Sequence, residues 1–173
     1  MARRQIAMNA GTWIYEADNT IAHNADSFMN LGIESGPLQC RPLINFANIA
    51  HPRLILSANL WVYCSAVPAR IAIDGYKVNK AYSALWCWDV GWGTAGCNQV
   101  TEDRSGVKMI SAADVQYAGW NALPIADLTE LLAMLDGNDT ILLVGDDTVA
   151  TIEKSPAPYL EIVTRNPSSS GMF

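Results

Sequence analysis

Turn-forming residues punctuate the chain at short intervals, at Asp18-Asn19, Gly32, Gly36-Pro37, His51-Pro52, Val67-Pro68, Asp74-Gly75, Gly91, Gly93, Gly96, Gly106, Gly137-Asn138, Gly145-Asp146 and Ser155-Pro156. Glycine, proline, asparagine and aspartate break regular structure for separate reasons, by freeing or fixing φ or by bonding to their own backbone. The runs left between them suit strands far better than helices. The chain is therefore expected to be all-β, an antiparallel β-sandwich of jelly-roll type. Seven runs read as strands: Thr12–Tyr15, Leu43–Phe46, Ser57–Ser65, Ile71–Val78, Val107–Ile110, Ile141–Val144 and Tyr159–Thr164. Side chains alternate along a strand, so Leu60, Val62 and Cys64 share one face and Trp61 and Tyr63 the other. The aliphatic face is the expected core, together with Ile44, Phe46, Leu142, Leu160 and Ile162.

One segment has the other period. In "ADLTELLAMLDGN", Leu128, Leu131, Leu132 and Leu135 recur at helical spacing. Asp127 is a natural N-cap, and Glu130, three residues on, completes a capping box. Gly137 suits the left-handed position that ends a helix. One short helix near Asp127–Leu135 is expected, lying as a lid on the sandwich with its leucines in the core.

A length of 173 residues with half of them hydrophobic is enough for one core without metal or disulfide staples. The expected organisation is an N-terminal arm over 1–11, the sandwich over 12–165 and a tail over 166–173. With 11 basic against 17 acidic residues the net charge is -6, which disfavours nucleic acid as a partner. No run approaches a membrane span, and "QIAMNAGTWIYEADN" has no apolar signal region, so synthesis without export and no membrane partner are expected. Cys40, Cys64, Cys87 and Cys97 form no C-x-x-C pair, and neither His23 nor His51 stands at zinc-ligand spacing from them. Free thiols are expected, with Cys87–Cys97 the first pair to form on oxidation. No cofactor and no metal are expected.

An ordered set of short motifs follows the same path: Ala17-Asp18-Asn19-Thr20-Ile21, Asn30-Leu31-Gly32, "RPLINF", "ILSANLWVY", the central Trp86, "IADLTELL", "NDTILLVG" and "PYLEIV". In this order they resemble the DNRLRE family, the disaggregatase-related β-sandwich domains, over Trp13 to Val163. Where that pattern carries an aspartate after the phenylalanine, Ala47 stands here. The resemblance implies a sandwich fold similar to carbohydrate-binding modules.

Candidate functional residues are aromatic. Trp61 and Tyr63 turn away from the aliphatic face, and paired exposed aromatics mark contact surfaces. Trp86, Trp88 and Trp92 cluster beside Gly91, Gly93 and Gly96. Their indoles suit core packing, a protein interface or the apolar face of a sugar. Arg41, at the mouth of a core strand, suits a structural ion pair better than a ligand clamp. Asp146-Asp147 and Asp136/Asp139 lack calcium-loop spacing and read as turn formers. No G-x-S-x-G, H-E-x-x-H or phosphate-loop motif occurs, and neither His23 nor His51 has an evident orienting partner. The expected function is non-enzymatic: a virion structural protein, such as a phage capsid decoration, cement or tail accessory protein. It would assemble in a host cytoplasm as a homo-oligomer, with a trimer favoured by analogy. Its N-terminal arm and Trp61/Tyr63 face would touch other virion proteins. The alternative is a carbohydrate-binding module reading a cell-surface glycan through the Trp86–Trp92 loop.

Overall fold

Alternating burial organises the longest strands, and the aliphatic face of the Trp61 strand does point inward: Leu60, Val62 and Cys64 are fully buried. The structure, a computed structural model, describes residues 1–34, 38–46, 54–146 and 148–165. Ten strands and one helix appear among them. In chain order these are β1 (Ala2–Tyr15), β2 (Phe28–Ile33), β3 (Gln39–Phe46), β4 (Ile55–Ala66), β5 (Ile71–Val78), β6 (Arg104–Val115), β7 (Gly119–Pro124), α1 (Leu128–Leu135), β8 (Thr140–Gly145), β9 (Ala150–Glu153) and β10 (Tyr159–Thr164). The protein is all-β with one short helix.

All named strand pairs are antiparallel. β9 and β10 lie end to end along one edge of β4: Cys64 pairs with Ile152, then Trp61 with Tyr159 and onward. β7 takes the other edge of β4. β1 changes sheets midway. Ala2–Ala7 pairs with β10, a bulge follows between Met8 and Ala10, and the remainder pairs with β3. β2 makes a similar passage, from β9 at Phe28–Leu31 to β3 at Gly32 and Ile33. Pairings therefore run β1-β10-β4-β9-β2-β3 and back to β1, a closed, barrel-like ring. The first sheet holds β10, β4, β7 and β9 with the first parts of β1 and β2; in the second, β8, β5 and β6 extend beyond β3.

The main core fills the ring and the space under α1. It includes Ile6, Leu31, Ile44, Phe46, Leu60, Val62, Leu160 and Ile162, with Leu131, Met134 and Leu135 from the helix. The helix touches β4 in one sheet and β5 and β6 in the other, as a lid should. Its start is as expected, since the Asp127 carboxylate accepts from the Glu130 backbone N–H at 2.8 Å. The capping box is only half made, because the Glu130 carboxylate lies 3.6 Å from Lys77 instead. Gly137 does not take the left-handed conformation; Asp139 does, at φ 51.

The larger correction concerns the N-terminus. The segment expected as an arm is the first half of β1, with Ile6 buried at 1% exposure. Polar Arg3, Arg4 and Gln5 concealed a strand, because their alternation carries just one large aliphatic residue into the core. The expected tail, 166–173, lies outside the described residues.

Candidate functional site

The outer faces of the two sheets differ. On the second sheet, Ile14, Leu43, Tyr76, Val78 and Leu142 point away from the ring and would meet water. The 79–103 segment folds back over them, and Trp86, Trp88 and Cys97 complete a second buried cluster. Trp86 and Trp88 are 5% and 8% exposed. Trp92 is half-buried against Trp86, rings 4.5 Å apart, and its N–H donates to the Cys87 carbonyl at 2.8 Å. Two glycines make this packing feasible. Gly91 and Gly96 have φ of 99° and 77°, and a Cβ would fall 2.4 Å from the Trp86 ring and 2.7 Å from the Trp88 ring. Trp86 and Trp88 are thus core residues of a folded flap rather than a solvent-facing binding cluster.

Two buried charges fasten the flap. Asp103, fully buried, accepts from the backbone N–H groups of Gly93, Thr94 and Gln99 at 2.7, 3.2 and 3.0 Å, and Lys80 lies 2.9 Å away. Burial alone would raise its pKa, but these four donors outweigh burial and hold the carboxyl below the usual range. Arg41 donates to the Gly96 carbonyl and to Asn98 Oδ1, holds Gln39 Oε1, and lies 5.0 Å from the centre of the Trp88 ring. Its hydrogen-bond acceptors among the described residues are neutral, so the expected acidic partner is replaced by a carbonyl, two amides and an indole face. Burial brings its pKa down to about 10.

The outer face of the first sheet carries no comparable cluster among the described residues. Here stand Trp61 and Tyr63 from β4, Trp120 from β7 and Tyr159 from β10, all partly exposed. Register explains the gathering: Trp61 is opposite Tyr159, and Tyr63 is opposite Trp120. Trp61 and Tyr159 stack at 6.0 Å and 14° from parallel. Trp120 meets Tyr159 edge-on at 5.3 Å and Tyr63 at 5.5 Å. The quartet runs unbroken across three strands. A polar row borders it, where Glu161 lies between Gln5 and Asn59 and 3.7 Å from Arg3. Among the described residues the Trp61 indole N–H is buried without a hydrogen-bond partner. Trp120 and Tyr159 were not singled out in the sequence, although Trp120 and Ala122 alternate with buried Asn121 and Leu123 as strand residues should.

Several other expected residues take structural places. Asp146 accepts from the Ala72 N–H at 3.1 Å, a bond to a distant strand rather than the local turn contact expected of it. Asp136 caps the helix C-terminus. His51 and Asp147 lie outside the described residues. All four cysteines are buried free thiols, and burial pushes Cys40 and Cys64 up to about 12. Among the described residues no helix is long and apolar enough to cross a membrane. In comparisons with known proteins, no family model and no curated protein matches the chain.

Proposed function

We propose that the protein is a non-enzymatic structural component of a virus particle, a capsid decoration, cement or tail accessory protein, built as a DNRLRE-like sandwich of jelly-roll type. It assembles in the host cytoplasm as a homo-oligomer, a trimer by analogy with three-fold capsid positions. It attaches to other virion proteins through the outer face of its first sheet. One observation carries this reading: the two outer faces are treated differently. The 79–103 flap covers one, whereas the other presents four adjoining aromatic rings. Tryptophan and tyrosine dominate the binding energy of protein interfaces, because large rigid rings bury much area at little entropic cost. The acidic net charge of -6 keeps free copies apart before assembly. Trp61→Ala combined with Trp120→Ala should abolish co-sedimentation with the particle while leaving the melting curve cooperative. Undiminished attachment by that double variant refutes the reading.

A glycan-binding role is the second reading, moved from the Trp86–Trp92 loop to the first sheet. The near-parallel Trp61 and Tyr159 rings favour it, since a sugar's apolar face stacks on such a surface. A glycan-array signal lost on Trp61→Ala, in a protein that does not sediment with particles, would select this role over the structural one.

A further inference from the structure

The flap leaves part of the second sheet open. It packs on Tyr76, Val78 and Leu142, with Val144 at its margin. Past that margin the outer face of β5, β6 and β8 holds a cleft of about 230 Å³. Its lining is small and apolar at Ala72, Ala112 and Val144, and charged at Asp74, Lys108 and Asp146. The β5–β6 register shifts between Ile73 and Gly75, and there Ala112, at φ 46, turns its N–H to Asp74 Oδ1 at 3.0 Å. Asp74 Oδ2 lies 2.7 Å from Lys108 Nζ, so both Asp74 oxygens are engaged. Lys108 thereby uses one of its three donors, and its side chain is 49% exposed. Asp146 accepts from the Ala72 N–H through Oδ1, and no cation pairs with it among the described residues. Asp74 and Lys108 cancel, so Asp146 gives the cleft one uncompensated negative charge.

We propose that this cleft binds a small α-amino acid, with its ammonium on Asp146, its carboxylate on Lys108 and a short apolar side chain against Ala72, Ala112 and Val144. Size selects a small occupant, because the cleft falls below the about 300–1,000 Å³ of sites for drug-sized ligands. Spacing selects a ligand with both charges. Asp74 is opposite Val144, and Asp146 stands two residues further along the same face of β8. The diagonal from Asp74 to Asp146 is therefore about 7–8 Å. Charge-assisted hydrogen bonds are about 2.8 Å long, and one at each end of an amino acid bridges that diagonal. The Ala72 N–H holds the Asp146 carboxylate in place before the ligand arrives. A plain amine would leave the spare Lys108 donors to water, and a plain carboxylic acid would leave Asp146 unpaired. The cleft and the aromatic quartet are on different sheets, so this site is independent of the attachment surface.

The test is an amide NMR titration of the full chain with L-alanine near neutral pH, following the N–H signals of Ala72, Ala112 and Gly145, which line the cleft. Wild type should show saturable shifts at these three. Propionate and ethylamine, each lacking one of the two charges, should bind at least about tenfold more weakly, since each forgoes one hydrogen bond to a charged group. Asp146→Asn and Lys108→Met should weaken L-alanine binding by a similar factor. Both side chains are exposed, so both variants should keep the wild-type melting curve. Should either fail to fold, the comparison of the three ligands on wild type decides. Trp61→Ala/Trp120→Ala should bind L-alanine as wild type does, which separates this site from the attachment face. Absence of saturable shifts at high millimolar L-alanine overturns the proposal. So does ethylamine or propionate binding as tightly as L-alanine, or binding that survives both Asp146→Asn and Lys108→Met undiminished.

Discussion

Asp103 governs more structure than any other single side chain in the 79–103 flap, since it gathers three backbone N–H groups and Lys80 at a fully buried position. Asp103→Ala would leave the Gly93, Thr94 and Gln99 N–H donors without their acceptor, while Lys80 keeps the Gly91 carbonyl and Glu102, and is expected to cost at least about 1–3 kcal/mol, read from chemical denaturation. The pH dependence follows from the direction of its shift. Its folded pKa is depressed, so its contribution is complete above the ordinary carboxylate value of about 3.9 and is lost as pH falls through the lower folded value. Tryptophan fluorescence should report release of the flap in that acid range, and Asp103→Asn should flatten the change. In the main core, Leu60 is fully buried, and Leu60→Ala should cost about 2–5 kcal/mol. A loss below about 0.5 kcal/mol, the surface range, would mean that its environment is misplaced.

At the scale of elements, what was legible in the sequence followed the strength of each local signal. β4, with aliphatic and aromatic residues in strict alternation, was readable down to which side chains face inward. α1 was readable because capping and the leucine stripe agree, and Asp127→Ala should lower stability by about 1 kcal/mol. β2, β7 and β9 were missed because they are short and glycine, proline or polar residues interrupt their apolar alternation. The flap could not be assigned from sequence. Three tryptophans beside three glycines suit an exposed site and a self-packed loop equally, and the choice depends on a sheet face supplied by β1, β3, β5 and β8. The first half of β1 was hidden by its polar residues. Removing residues 1–10 should therefore do more than free an arm. It uncovers the edge of β10 and deletes buried Ile6, so a stability loss of at least about 2 kcal/mol is expected from the core side chain alone. An unchanged melting temperature would show that Ala2–Ala7 is not part of the folded sheet.

For the whole molecule, the division of labour between the two outer faces decides what it can do. The flap turns one face into a second core, which leaves the aromatic quartet on the other as the surface with most to gain from a partner. The quartet crosses β4, β7 and β10, and that juxtaposition is set by strand register, which is why Trp61 and Tyr63 were visible in the sequence and their companions were not. Half-exposed rings on a sheet contribute modestly to folding and strongly to association, so losing them should separate the two properties. The most direct measurement is co-sedimentation of Trp61→Ala/Trp120→Ala with particles assembled in its presence, beside a melting curve of the same protein. Loss of attachment with a retained cooperative transition is the expected result. Attachment equal to that of the wild type would contradict the assignment of this face as the contact surface.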